Sequence, residues 1–293
     1  MMRFLEKQIA FVAFGIALVF PSAGWAIDVF VTVPPQKWVV ENILGNGGTV
    51  NVLVKNGQDP HTFEPTPKQI MALSRAKIWF TMNMPFENRL RNKVGQVAPD
   101  LRIVDMIGDI EKHSIHDAHG HDDHDHEAKD PHVWLSPVNL EVMAATTAAV
   151  LSEEDAENMQ QYNQNLQAVQ KSLTELHARI GQQLAPYAGS SFYVFHPSFG
   201  YFAEEYGLQQ KAVEAGGKSP GPRQIAALVA KAREDRVKVI FVQPQFDQKS
   251  GETIARAIDG EVVSLDALAE DVPANLAVMA DSIEQALSDR GIK

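Results

Sequence analysis

Short β-branched apolar runs alternate along the chain with longer stretches whose apolar residues recur at helical spacing. Strands are predicted at Asp28–Val33, Thr49–Lys55, Lys77–Met82 and Leu101–Met106. Helices are predicted between them, at Gln36–Leu44, from Thr66 or Pro67 to Ala76, and at Phe86–Val97. Gly45 behind the first helix and Pro67 in the first turn of the second are common stop and start residues. A strand–helix–strand rhythm implies a parallel sheet with helices on its faces. The rhythm breaks at Lys112–Asp130, a His/Asp-rich stretch without hydrophobic period, which reads as a flexible insertion. From Asn139 to about Ala185, glycine and proline almost vanish. Ser152–Asp155 reads as a capped junction, and Asp155–Leu184 as one helix of about 30 residues, roughly 45 Å long. Its apolar positions are too sparse for a sustained heptad, so a helix bridging two lobes fits better than a coiled coil.

After Pro186 the rhythm resumes. Strands are predicted at Ser191–Phe195, Gln210–Glu214, Val237–Gln243 and Glu261–Leu265. Helices are predicted at Gly200–Tyr206, Pro222–Asp235, Gly251–Ile258 and Asn275–Asp289. The expected fold class is α/β: two lobes, each with a parallel sheet flanked by helices, joined by a long rigid backbone helix. The expected division is a signal peptide at 1–26, an N-terminal lobe at 27–137 with a His-rich loop at 112–129, linking helices at 138–188, and a C-terminal lobe at 189–293.

The signal peptide rests on Arg3 and Lys7, an apolar run from Ile9 to Phe20, and small residues Gly24 and Ala26 before a cleavage site near Ala26. The apolar run is shorter than the roughly 20 residues a membrane span needs. An exported, periplasmic protein is expected. Of its 293 residues 45% are hydrophobic, enough to bury a large core. With 26 Lys+Arg against 37 Asp+Glu, a formal net charge of −11, the chain lacks the basic face of a nucleic-acid binder. It has no cysteine, which excludes disulfides, thiolate metal sites, cysteine nucleophiles and a cysteine-linked lipid anchor. The mature chain is therefore expected to be free of the membrane, and any metal site must use histidine and carboxylate.

Ligands of open parallel sheets bind at the carboxyl ends of strands. Three of the ten histidines stand there: His61 in Asp59-Pro60-His61, His132 in Asp130-Pro131-His132, and His196 in Phe195-His196-Pro197. Asp266 directly follows the last strand run. Three imidazoles and one carboxylate, two groups from each lobe, make a sensible four-coordinate Zn²⁺ site. Six histidines, His113, His116, His119, His121, His124 and His126, alternate with acidic residues in the insertion. Such a tract binds divalent metals weakly at several sites, or is a solvated linker. His177, mid-helix beside Glu175 and Arg179, reads as a residue of a solvated face. Ala212–Ser219 imitates a phosphate loop, but Pro220-Gly221-Pro222 follows at once and delays the helix that motif requires.

DPHTFEPTP, the His-rich insertion, DPHVWLSP, the long helix, FHPSFGYFAEEYGL and VVSLDALAED occur in that order. Together they resemble the metal-binding solute-binding proteins of zinc/manganese ABC transporters, over nearly the whole mature chain. The resemblance implies metal held in the cleft by His61, His132 and His196. Asp266 is implied as fourth ligand, a place that water takes in part of the zinc subset. It also implies an ABC permease of the inner membrane as partner, a monomeric carrier, and no enzymatic activity. Manganese-preferring members tend to carry Glu at the third position, so His196 and the His-rich loop point to zinc. The other readings are a manganese-preferring member of the same family, an exported zinc-dependent hydrolase, and a metal store or adhesin acting through the loop alone. Binding is expected to weaken as the pH falls through the histidine range near ~6.5.

Overall fold

The computed structural model describes residues 26–113, 129–214, 221–246 and 248–289. The predicted signal peptide up to residue 25, the loop histidines His116, His119, His121, His124 and His126, and most of the phosphate-loop imitation lie outside the described residues.

The first lobe holds β1 (Ile27–Val31), β2 (Gly48–Val52), β3 (Ile78–Thr81) and β4 (Arg102–Asp105), all parallel, in the order β2-β1-β3-β4. Helices α1 (Pro34–Leu44), α2 (Pro67–Leu73) and α3 (Pro85–Val97) connect them. The chain steps one way from β1 to β2 and back the other way to β3 and β4. Right-handed crossovers then place α1 on one face of the sheet and α2 and α3 on the other. The α1 face packs on α4 (Pro137–Glu154) and α5 (Met159–Leu184). The second lobe repeats the topology with β5 (Ser191–Val194), α6 (Gly200–Glu205), β6 (Gln209–Ala212), α7 (Pro222–Glu234), β7 (Val239–Val242), α8 (Gln248–Ala257) and β8 (Glu261–Ser264), ordered β6-β5-β7-β8. A last helix, α9 (Val272–Ser288), returns to α5.

Side chains of β5 and β7 alternate between two cores, as a period of two dictates. Phe192, Val194, Val239 and Phe241 join a core that also holds Val29, Phe80 and Leu173. Tyr193, Phe195, Ile240 and Val242 join a smaller one beneath α7 and α8. The larger core is continuous through both lobes and the linking helices. Wide separation of the lobes would expose it to water, at a cost of roughly 25 cal/mol per Å² of apolar surface. In α5 the buried residues Tyr162, Val169, Leu173, Leu176, Ile180 and Leu184 form one stripe.

The long helix is 26 residues, about 39 Å, and starts later than its apolar pattern suggests. Asp155 ends α4, and its Oδ2 accepts from Asn158 Nδ2 at 2.7 Å and Tyr162 OH at 2.8 Å, which holds a separate turn at Ala156–Asn158. Conversely, α9 starts three residues before Asn275, because the Asp271 carboxylate accepts from Ala274 N at 3.2 Å. Among the described residues no helix is long and apolar enough to cross a membrane.

Polar contacts also fasten one lobe to the other. Trp134 Nε1 donates to Ala267 O at 2.7 Å, and Tyr201 OH to Asp130 O at 3.0 Å. Ser136, the N-cap of α4, donates to Glu205 Oε2 at 2.8 Å. Lys37 meets Glu270 at 2.6 Å. Gly200, at the start of α6, permits one close approach: a Cβ there would stand 2.9 Å from Asp130 Oδ2.

Candidate metal centre

The Asp-Pro-His segments build the site by the same local device twice. Asp59 Oδ1 accepts from His61 N at 2.9 Å, and Asp130 Oδ1 from His132 N at 2.9 Å. Each is an Asp side chain closing a turn on the backbone two residues ahead, with proline pre-setting the residue between. The first turn follows β2 and the second follows the insertion after β4, so both rings point into the cleft. His196 arrives from the other lobe, two residues beyond β5, with its backbone N donating to Gln243 Oε1 at 3.2 Å.

The three imidazoles converge. One nitrogen from each of His61, His132 and His196 lies within 4.8 Å of the other two. His61 Nε2 and His132 Nε2 are 3.2 Å apart. Two nitrogens bound at about 2.0–2.1 Å to one tetrahedral ion stand roughly 3.3 Å apart, so this pair is already at chelating distance. His196 Nε2 is buried and has no hydrogen-bond partner among the described residues. A buried ring nitrogen left bare costs free energy unless something fills its lone pair, and a cation does.

Two of the rings are aimed by carboxylates. His132 Nδ1 stands 2.6 Å from Asp130 Oδ1, and His196 Nδ1 2.5 Å from Glu214 Oε2, all four residues being buried. Nδ1–H donated to a carboxylate leaves Nε2 unprotonated toward the centre, the tautomer a metal requires. Phe246 stacks on the His196 ring at 4.3 Å, and Trp134 meets the His132 ring edge-on at 5.4 Å. His61 is half-buried, and its contact with Asp59 runs through the backbone N. Burial, then the neighbouring His132 and His196 rings, pushes His61 down to about 4. Burial also lowers His196, against the pull of Glu214. Both shifts favour the neutral, ligating form of these two rings.

Sequence pattern does not single out Asp130 or Glu214 for this role, although Asp130 lies inside the second Asp-Pro-His segment. Asp266 stands outside the cluster of ligand nitrogens. Its Oδ1 accepts from Leu268 N at 2.9 Å and Gln245 Nε2 at 2.8 Å, so it closes a turn of its own, as Asp59 and Asp130 do. His113, at the base of the insertion, stacks on Tyr201 at 4.6 Å and pairs with Glu204 at 2.7 Å. His177 is partly buried rather than merely solvated: it stands 3.4 Å from Glu205 Oε1 and 5.6 Å, ring to ring, from Tyr206.

If carboxylate aiming matters, Glu214→Gln should bind zinc about 10-fold more weakly and Asp130→Asn 10- to 100-fold more weakly. Competition with a chelating dye measures both. Affinities within twofold of the parent would refute the assignment.

Two α/β lobes with a shared core and an all-imidazole centre in the cleft between them define a metal-binding solute-binding protein of the kind that serves uptake systems. The family model of the periplasmic zinc-uptake complex component A (ZnuA) matches residues 29–289, and the chain belongs to that zinc-binding family. It is 31% identical over 259 residues to the high-affinity zinc uptake system protein ZnuA of Bacillus subtilis (strain 168), covering 84% of this chain and 80% of that protein. A crystal structure of ZnuA superposes with TM-score 0.83 at 36% identity, covering 89% of this chain and 99% of that one. A zinc-bound ZnuA carrying a deletion of its residues 138–173 gives TM-score 0.82 at 36% identity, with coverage of 89% and 98%.

Proposed function

We propose that this chain captures Zn²⁺ in the periplasm and hands it to an ABC permease of the inner membrane. The observation that carries the reading is the convergence of three imidazoles from both lobes, one with a bare buried Nε2. His61, His132 and His196 are the ligands in this proposal, and water takes the fourth place. Asp266 would join only if the turn at 266–268 shifted. A metal bound by three imidazoles suits zinc better than manganese, which prefers oxygen ligands. The cavity at the triad, lined in part by Ser198, Gln245 and Leu268, is about 10 Å³. That is close to the space of one water, which leaves little enclosed room for a substrate beside the triad. This supports a carrier and not an enzyme.

The remaining parts follow from the same reading. Residues 1–26 serve as signal peptide, the mature chain is a monomer without a membrane anchor, and the lobes divide at 27–137, 138–188 and 189–293. The insertion histidines from His113 to His126 act as an accessory, weak zinc-gathering tract. Release proceeds by motion of the His61 segment and modest rocking, since a shared core opposes wide opening. Deletion of the protein from its own cell should abolish growth in chelator-depleted medium, and zinc, but not manganese, should restore it. Restoration by manganese alone would overturn the reading.

A further inference from the structure

A second cavity, of about 120 Å³, lies in the first lobe between the segment that follows His61, α2 and α3. Its floor is apolar: Phe63, Ile70, Phe86 and Leu90. Phe63 and Phe86 meet edge-to-face at 5.0 Å, so one ring of the floor belongs to the segment carrying His61, two residues away. An apolar cavity near 150 Å³ accepts benzene, so this one has room for about a single aliphatic or small aromatic side chain. Arg89 and Lys93, both exposed and one helical turn apart on α3, stand at its rim. Among the described residues neither has an ion-pair partner. Two exposed cations without ion-pair partners beside a hollow of mixed lining are a local departure from a chain whose net charge is −11.

We propose that this hollow is a docking point for the permease, taking an apolar side chain flanked by a carboxylate on one of its extracytoplasmic loops. This rests on the delivery reading above. The carboxylate meets Arg89 and Lys93, and the apolar side chain packs on Phe63. Docking thereby presses on the segment holding the least buried zinc ligand. An anionic lipid surface is the poorer occupant. It attracts clusters of about four to eight basic residues, whereas two stand here, with Glu64 beside them and a recessed floor.

The test uses the zinc-loaded full chain with its own permease in nanodiscs, reading ATP hydrolysis against binding-protein concentration. Arg89→Glu with Lys93→Glu should leave zinc affinity unchanged and raise the half-maximal concentration about 10-fold or more. The milder Arg89→Ala with Lys93→Ala should raise it several-fold, which guards against a misfolded double reversal. Unchanged stimulation by both variants, with the parent active, would overturn the docking point and leave the delivery reading standing. A parent that never stimulates the permease would overturn both. Sedimentation of the parent, but not the variants, with phosphatidylglycerol vesicles would reassign the hollow to lipid.

Discussion

Alanine at His196 is expected to weaken zinc binding by at least about 100-fold, some 3 kcal/mol or more. Losing a partner that merely aims a ligand costs 10- to 100-fold, and here the ligand itself goes. His196 is also the sole triad member from the second lobe, so its loss removes the link that closes the cleft on the ion. His132→Ala should match it, since that ring is equally buried and carboxylate-aimed. His61→Ala should cost less, because its ring is partly exposed and water can reach the vacated position. His113→Ala and His177→Ala should stay within about twofold, their nearest partners being Glu204 and Glu205 on α6. Asp266→Asn retains an acceptor for Leu268 N and separates the two models of the fourth place: near-parental affinity favours water, a large loss favours the carboxylate. Dye competition supplies the affinities. Apo melting curves check that Glu214, stripped of its partner, has not unfolded the lobe. A His196→Ala protein that binds zinc within threefold of the parent would sink the triad.

Much of this is legible in the sequence. Seven of the eight strands coincide with apolar runs that hold a β-branched residue, β6 (Gln209–Ala212) being the exception, and the strand-end rule singles out His61, His132 and His196, the three histidines that the fold brings together. The same rule placed Asp266, which does stand at a strand end, but a strand end says nothing about which way a side chain turns. Its Oδ1 turned to Leu268 N, the same local bond that Asp59 and Asp130 make. Glu214 was hidden for another reason. Its approach to His196 comes from the parallel pairing of β5 with β6, where Val194 faces Ala212. Carrying that register two residues further sets His196 opposite Glu214, but strand order is a tertiary fact that periodicity does not encode. Helix position alone does not reveal that α6 and Tyr206 come to rest beside the partly exposed His177.

Proton competition for zinc at His61 and His196 is expected to set in below the ~6.5 of an ordinary histidine, at His61 only near pH 4. Zinc binds neutral imidazole, so a proton competes only below the pKa that each ring has in the folded apo protein. That pKa is about 4 for His61, held down by burial and then by the two neighbouring rings. Burial lowers His196 as well. The same shifts bear on the apo fold, with the following sign. An unfolded chain protonates His61 near ~6.5, while the folded chain refuses the proton until about pH 4. Stability is therefore fully present above ~6.5, drains away as the pH falls through that window, and levels off below about 4. Buried Glu87 works the other way: burial raises its pKa, so it takes up a proton in the fold before it does in the unfolded chain. Subtracting the pH profile of apo His61→Ala from that of the parent isolates the histidine contribution. The difference in melting temperature should shift in favour of the variant as the pH drops from 6.5 to 4, since the parent alone carries the unprotonated ring into acid. Melting profiles of parent and variant that show no acid-dependent difference between pH 6.5 and 4 would show that His61 titrates in the fold as a free histidine does.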